Sequence, residues 1–254
     1  MIHLLDNTPS TNTYAKDNAA SLAHGDIVLT HNQTAGRGQR GNSWEAQPGM
    51  NLTFSMMLRP RHIAPQAQWA ISQAVALGIA SALEHAIAKA TAEPQPPVTV
   101  KWPNDIYVGD KKICGILIEH SITSPKTIGH TIAGIGINVN QTEFRSDAPN
   151  PVSLAQITGT AFDLDEILAD VANAINRYFD IVDSTDPPGD PARRLAPIYR
   201  KKLWRGEGFH RFSRADGTPL LARIDNVGHD GRLTLTDSDG TPQSFYFKEV
   251  QFVL

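Results

Sequence analysis

The chain has 254 residues, a length that fits one large domain or a domain with a small appendage. Hydrophobic residues make up 41% and charged residues 19%, so a sizeable core is expected, and a net charge of -3 argues against a nucleic-acid binder that neutralises phosphates broadly. One cysteine excludes an internal disulfide framework, Met1-Ile2-His3-Leu4-Leu5-Asp6 does not read as a signal peptide, and no apolar run is read as approaching the roughly 20 residues that span a bilayer; a cytoplasmic protein without membrane or nucleic-acid partners is the expectation.

Ser10-Thr11-Asn12, followed by Tyr14, Ala15, Asn18, Ala19 and Leu22, predicts a capped helix start. Asp26 to Thr30 is short and β-branched, and Asn51 to Leu58 alternates apolar with small or polar residues; both predict strands. Pro65 to about residue 90 sets Trp69, Ile71, Val75, Ile79, Leu83 and Ile87 near one face of a long core helix. Val98-Thr99-Val100 is a short strand. Ile106 to Val108 and Ile113 to Glu119 read as a hairpin turning at Gly109-Asp110, and Thr131 to Val139 as a further strand. Asp163 with Glu166 resembles a capping box before an amphipathic helix through Ile167, Leu168, Val171, Ile175, Phe179 and Val182. Composition shifts over residues 183–197, where Asp186-Pro187-Pro188-Gly189-Asp190-Pro191 reads as a connector, with a short helix near Tyr199 to Leu203. From Trp204 onward four strands are expected, at Phe209 to Phe212, Leu220 to Ile224, Arg232 to Thr236 and Phe245 to Leu254. Their turns fall at Asp216-Gly217, Asp230-Gly231 and Asp239-Gly240, and the whole predicts a small, partly closed barrel.

Gly36-Arg37-Gly38-Gln39-Arg40-Gly41 matches the glycine spacing of a dinucleotide-binding turn. That reading needs a helix directly after the loop, and Asn42-Ser43-Trp44-Glu45-Ala46-Gln47-Pro48-Gly49 does not open one. The loop reads either as an anion cradle, with Arg37 and Arg40 pairing carboxylate or phosphate, or as a solvated hairpin tip; Trp44 either stacks on a base or packs on the loop. In Lys101-Trp102-Pro103-Asn104-Asp105 a lysine ends a strand ahead of a rigid turn, Trp102 reads as core, and Asn104 and Asp105 either form an Asx turn or Asp105 helps place a metal–phosphate group. Lys112 opens the run Ile113-Cys114-Gly115-Ile116-Leu117-Ile118-Glu119, in which Gly115 permits close approach of a ligand. Cys114 reads as a buried hydrophobe rather than a nucleophile. In Gly134-Ile135-Gly136-Ile137-Asn138 the asparagine either reads an amide or an adenine edge or ends the strand. Nine scattered histidines predict no built-in metal site.

Taken together and in this order, the G-R-G loop, Lys-Trp-Pro-Asn-Asp and Lys-x-x-Gly-Ile-Leu-x-Glu resemble the biotin–protein ligase family over nearly the whole chain. The resemblance implies an α+β fold: a catalytic domain over 1–200 with a mixed sheet backed by helices, and an SH3-like barrel over 201–254. It implies adenylation of biotin by ATP, with magnesium near Asp105, and transfer of the biotinyl group to a lysine of a biotin carrier domain, by a monomer or homodimer. By resemblance Ser10, Thr11, Asn12, Gln33, Arg37, Gly38, Gln39, Lys112, Gly115 and Leu117 bind biotin. Arg37, Arg40, Trp44, Lys101, Asn104, Asp105, Lys112 and Asn138 take the adenylate, and Lys101, Lys112 and Arg37 carry catalysis. Gln39 departs from the family loop, which often has arginine there. The chain begins almost directly at the catalytic domain, so a short form without a DNA-binding domain is expected. A lipoate–protein ligase and a non-catalytic biotin-binding regulator are the competing readings.

Overall fold

The computed structural model describes residues 1–38, 44–145, 149–186 and 189–253. Along the chain it forms β1 (Ile2–Thr8), α1 (Thr11–Asp17), β2 (Ile27–Gln33), β3 (Leu52–Leu58), α2 (Trp69–Ala90), β4 (Val98–Lys101), β5 (Asp105–Val108), β6 (Lys111–Ser124) and β7 (Thr127–Ile137). Three helices follow, α3 (Leu154–Thr158), α4 (Leu164–Val182) and α5 (Pro191–Lys202). The chain closes with β8 (His210–Arg214), β9 (Pro219–Val227), β10 (Leu233–Asp237), β11 (Pro242–Phe245) and β12 (Val250–Phe252).

The first seven strands make one sheet, ordered β1-β2-β3-β7-β6-β5-β4. Only β1 and β2 run parallel; the other neighbours are antiparallel, so the sheet is mixed. The alternation read in β3 sorts its side chains between two faces. Leu52, Phe54, Met56 and Leu58 enter the core shared with α2 and α4, while Met57 joins Ala15, Leu22, Val28 and Ile132 beneath α1. On β6 and β7, Cys114, Ile116, Ala133, Ile135 and Ile137 also enter the larger core. Gly115, Leu117, Gly134 and Gly136 therefore fall on the opposite face, and that face becomes the site.

By length and composition Pro65–Ala90 is apolar enough to cross a bilayer, contrary to the sequence reading; yet 78% of the window is buried inside the molecule. It is the central core helix, α2, preceded by a 3-10 turn at Pro65–Ala67. Asp163 caps α4 through the Asp165 and Glu166 N–H groups, whereas the reciprocal capping box forms one helix earlier, between Ser153 and Gln156 of α3. The connector read at 186–191 ends where α5 begins, and the short helix expected near Tyr199 starts earlier, at Pro191: Asp190 caps it, Pro191 takes the first turn where no N–H is needed, and Pro197 is accommodated inside.

The second sheet is antiparallel, ordered β11-β10-β9-β8-β12. The three Asp-Gly turns form as read, with Gly217, Gly231 and Gly240 at φ of 83–85°. The expected last strand is two strands, broken at Lys248, whose φ is 74°. The core runs on into this sheet through Leu203, Phe212, Leu220 and Ile224, and Trp102 Nε1, in the turn between β4 and β5, donates to Gly231 O at 2.9 Å.

Candidate active site

Strand register assembles the floor of the site. Thr53 pairs with Gly136, Gly136 with Gly115, Gly115 with Asp105 and Asp105 with Lys101. A parallel row runs Ser55, Gly134, Leu117. The result is a trough of missing side chains with polar groups at both ends, enclosing a cavity of about 440 Å³. Its walls are the start of α1, the loop after β2, the β4–β5 turn and residues of β11–β12.

At the α1 end the side chains are tied together by hydrogen bonds. Gln33 Oε1 accepts from the Thr11 N–H at 3.0 Å, and Ser10 caps α1. Ser55 Oγ lies 2.8 Å from Thr11 Oγ1 and 2.6 Å from Asn12 Oδ1. The Asn12 amide donates to Leu117 O at 3.2 Å and to Glu119 Oε2 at 2.7 Å. Asn12 occupies the space left by Gly134, where an added Cβ would stand 2.2 Å from Oδ1. Arg37 Nη2 spans Glu119 Oε2 at 3.6 Å and Thr13 Oγ1 at 3.2 Å, tying the loop to this end.

Over the middle of the trough lies Trp44. Its ring fills the gap above Gly136 and Gly115, where added Cβ atoms would stand 2.3 and 2.9 Å from it. Lys112 Nζ sits 5.7 Å from the ring centroid. The Trp44 indole N–H is buried and has no hydrogen-bond acceptor among the described residues.

The far end is charged. Lys112 pairs with Asp105 at 2.7 Å, and the Asn104 amide donates to Ile116 O at 2.7 Å. Lys101 Nζ donates to Tyr107 Oη at 3.1 Å. Burial lowers the Lys101 pKa below its ordinary value; Asp105 opposes the shift and Lys112 and Arg205 add to it. Burial also raises the Tyr107 pKa. Asp105 is the one acidic side chain lining the cavity among the described residues, which contain no cluster of three metal-ligating groups.

Of the residues singled out in the sequence, Ser10, Thr11, Asn12, Gln33, Arg37 and Gly38 line the α1 end and loop wall. Trp44, Lys101, Asn104, Asp105, Lys112, Gly115 and Leu117 line the remainder. Asn138 does not: it is buried just beyond β7, its backbone N–H bonded to Ile113 O and its amide to Val152 O at 3.1 Å, while its Oδ1 has no hydrogen-bond partner among the described residues. Gln39 and Arg40 lie outside the described residues. Cys114 faces the core, and burial pushes its thiol pKa up, as for an inert hydrophobe. Sequence reasoning did not pick out Ser55 or the residues from β11–β12, namely Phe247, Lys248, Gln251 and Phe252. Ser55 was visible as the polar member of an apolar strand; Phe252 carried no signal, because its place depends on how the second sheet docks.

The family model described as the biotin/lipoate A/B protein ligase family matches residues 4–138, more than half of the chain. The chain belongs to this family. Among its relatives, a biotin–[acetyl-CoA-carboxylase] ligase of Paracoccus denitrificans is 34% identical, with 93% of this chain and 91% of that protein covered. One of Mycobacterium tuberculosis with the same name is 31% identical over 90% of this chain and 80% of its own length. The fold is shared with the biotin protein ligase of Aquifex aeolicus, solved with biotin and ATP, at a TM-score of 0.78, 24% identity and 99% coverage of both chains. The family match stops at Asn138, so the second sheet, which closes one wall of the cavity, is reached only by the full-length likenesses.

Proposed function

We propose that this chain is an ATP-dependent biotin–protein ligase. The observation that carries the reading is one cavity holding a neutral hydrogen-bonding end and a lysine-rich end, joined by a glycine floor. A biotin–[acetyl-CoA-carboxylase] ligase that aligns over 91% of its own length supports it.

In this reading Ser10, Thr11, Asn12 and Gln33 take the ureido ring, whose N–H and C=O groups need partners once desolvated. Gly115 and Leu117 lie along the valeryl tail. A biotin carboxylate oxygen attacks the α-phosphorus of ATP, the bond to the bridging oxygen breaks, and pyrophosphate leaves with the electron pair. Charge builds on the phosphate oxygens, and Lys101, Lys112 and Arg37 are the fixed cations that meet it. Magnesium would arrive with the nucleotide and neutralise phosphate oxygens, since Asp105 is the single carboxylate on the described lining and already pairs with Lys112. Trp44 covers the acyl-adenylate and excludes water, and its unpartnered N–H offers a ligand a donor. The carrier lysine, as a neutral amine, then attacks the acyl carbon, AMP leaves and the amine proton is released. The proposal divides the chain near residue 200 into a catalytic domain and a C-terminal barrel, and assigns the enzyme to the cytoplasm, where ATP and apo carrier domains meet.

Incubation with ATP, magnesium, biotin and an apo biotin carrier domain, read by intact mass, tests the reading. One biotinyl group per carrier is expected, and none when lipoate replaces biotin. An unmodified carrier despite bound biotin would favour a binding-only protein; lipoylation would move the chain to the other branch of its family.

A further inference from the structure

Lys101 is held by aromatic rings from three distant parts of the chain. Its ammonium lies 5.0 Å from the Tyr107 ring centroid on β5, 5.6 Å from Trp204 just after α5, and 5.8 Å from Phe252 on the last strand. The rings fix one another: Tyr107 and Trp204 stand 5.1 Å apart, Trp204 and Phe252 5.2 Å, and Phe252 and Phe212 4.8 Å. Trp204 is anchored on both sides. Its indole donates to Asp110 Oδ1 at 3.0 Å, and its backbone N–H donates to Val100 O, one residue before Lys101, at 2.9 Å. Lys101 and Phe252 both line the cavity.

A free lysine head samples many rotamers and keeps its hydration shell. Ring faces attract a cation without adding a counter-charge, whereas a carboxylate partner offsets part of its field. Lys112 illustrates the contrast, since it is ion-paired with Asp105 at 2.7 Å. We propose that Phe252 and Trp204 are positioning residues for adenylation, holding the Lys101 ammonium at the phosphate end of the cavity, so that the C-terminal sheet completes the active site. The inference rests on the ligase reading above. Removal of part of the ring wall leaves the biotin end, on the far side of the glycine floor, untouched.

Phe252→Leu keeps an apolar side chain and removes the ring; Phe252→Tyr keeps the ring. With methylene-labelled lysine, the Lys101 ε-CH2 resonance should carry a ring-current shift that Phe252→Leu diminishes and Phe252→Tyr retains. In biotin-dependent ATP–pyrophosphate exchange, Phe252→Leu should lower kcat about ten- to hundredfold. Its KM for biotin should move less than about twofold, and Phe252→Tyr should recover most of the rate. A purely structural ring would lower Tm and leave both the Lys101 resonance and the kcat of folded protein unchanged; that result overturns the inference. If Phe252→Leu does not fold, Phe252→Met gives the same comparison at nearly conserved volume. Absence of exchange in the unmodified protein would overturn the ligase reading and the positioning role with it. An unshifted Lys101 resonance in an active enzyme would overturn the positioning role alone.

Discussion

The two ends of the cavity hold their side chains by different physics. At the α1 end, Thr11, Asn12, Gln33, Ser55 and Glu119 satisfy one another through directed hydrogen bonds, and Asn12 and Ser55 are buried. At the other end Lys112 has a carboxylate partner, and Lys101 has three rings, one of them the phenol of Tyr107. The first end is pre-organised by directed hydrogen bonds, with the Arg37–Glu119 ion pair beside them, and a mismatched ligand there leaves buried donors unpaired. The second keeps positive charge available in a partly dry site, where each cation acts more strongly than in water. Recognition and catalysis are thus divided along one trough, and the glycine floor sets the distance between them.

Lys112→Ala tests the charged end most severely. It should cut the rate of biotin-dependent pyrophosphate exchange about 100- to 1000-fold while circular dichroism and biotin-end contacts remain. A loss that appears only in KM for biotin would break the division of labour. Gly134→Ala attacks the neutral end through space rather than charge. Its Cβ would overlap Asn12 Oδ1, and Asn12 cannot withdraw without abandoning Leu117 O and Glu119. A stability loss of about 1–3 kcal/mol and a large fall in biotin affinity by calorimetry are expected.

A milder test of the same end is Asn12→Ala, which removes one partner each from Ser55, still bonded to Thr11, and from Glu119, still paired with Arg37. Biotin Kd should rise about tenfold or more, with kcat changing less. Equal effects on Kd and kcat would show the two ends to be one coupled unit.

The smallest effect concerns pH. His120 follows Glu119 on β6, its Nδ1 lies 2.8 Å from Thr131 Oγ1, and burial lowers its pKa from 6.5 to about 4. Between those values the unfolded chain binds the proton and the folded chain does not. Stability from this group is therefore present above about pH 6.5 and is lost as pH falls toward about 4. Calorimetric Tm values across that window should fall, and His120→Gln should flatten the slope; an unchanged slope would assign the acid sensitivity to other groups.

The elements that were legible carried their own signals. The α4 stripe from Ile167 to Val182 begins at a capping aspartate, and each Asp-Gly pair supplies the left-handed residue that its tight turn needs. β1 went unread because it is an edge strand with mostly exposed side chains, and Asp6 and Asn7 break its pattern. Its stability comes from pairing with β2. α5 was obscured by Pro191 and Pro197, residues whose usual meaning is interruption. Asn138 follows a glycine-rich strand and lies past the end of β7, where the Val152 carbonyl takes its amide, a placement no local signal specified.

By itself the order of short polar and glycine-containing runs determined the family, the mixed sheet with its appended small sheet, and most of the residues that meet in the cavity. Those residues are local: each lysine, glycine or asparagine lies within a run whose spacing limits what it can do. Tertiary structure alone decided three things. Strand register aligned Gly136, Gly115, Asp105 and Lys101 into one row. The close approach of Asn12 and Trp44 to bare backbone decided why Gly134, Gly136 and Gly115 carry no side chain. Docking of the second sheet carried Phe252 to a lysine far earlier in the chain. Each depends on distances between segments remote in sequence, and those are set by the shared apolar core rather than by the residues that use them.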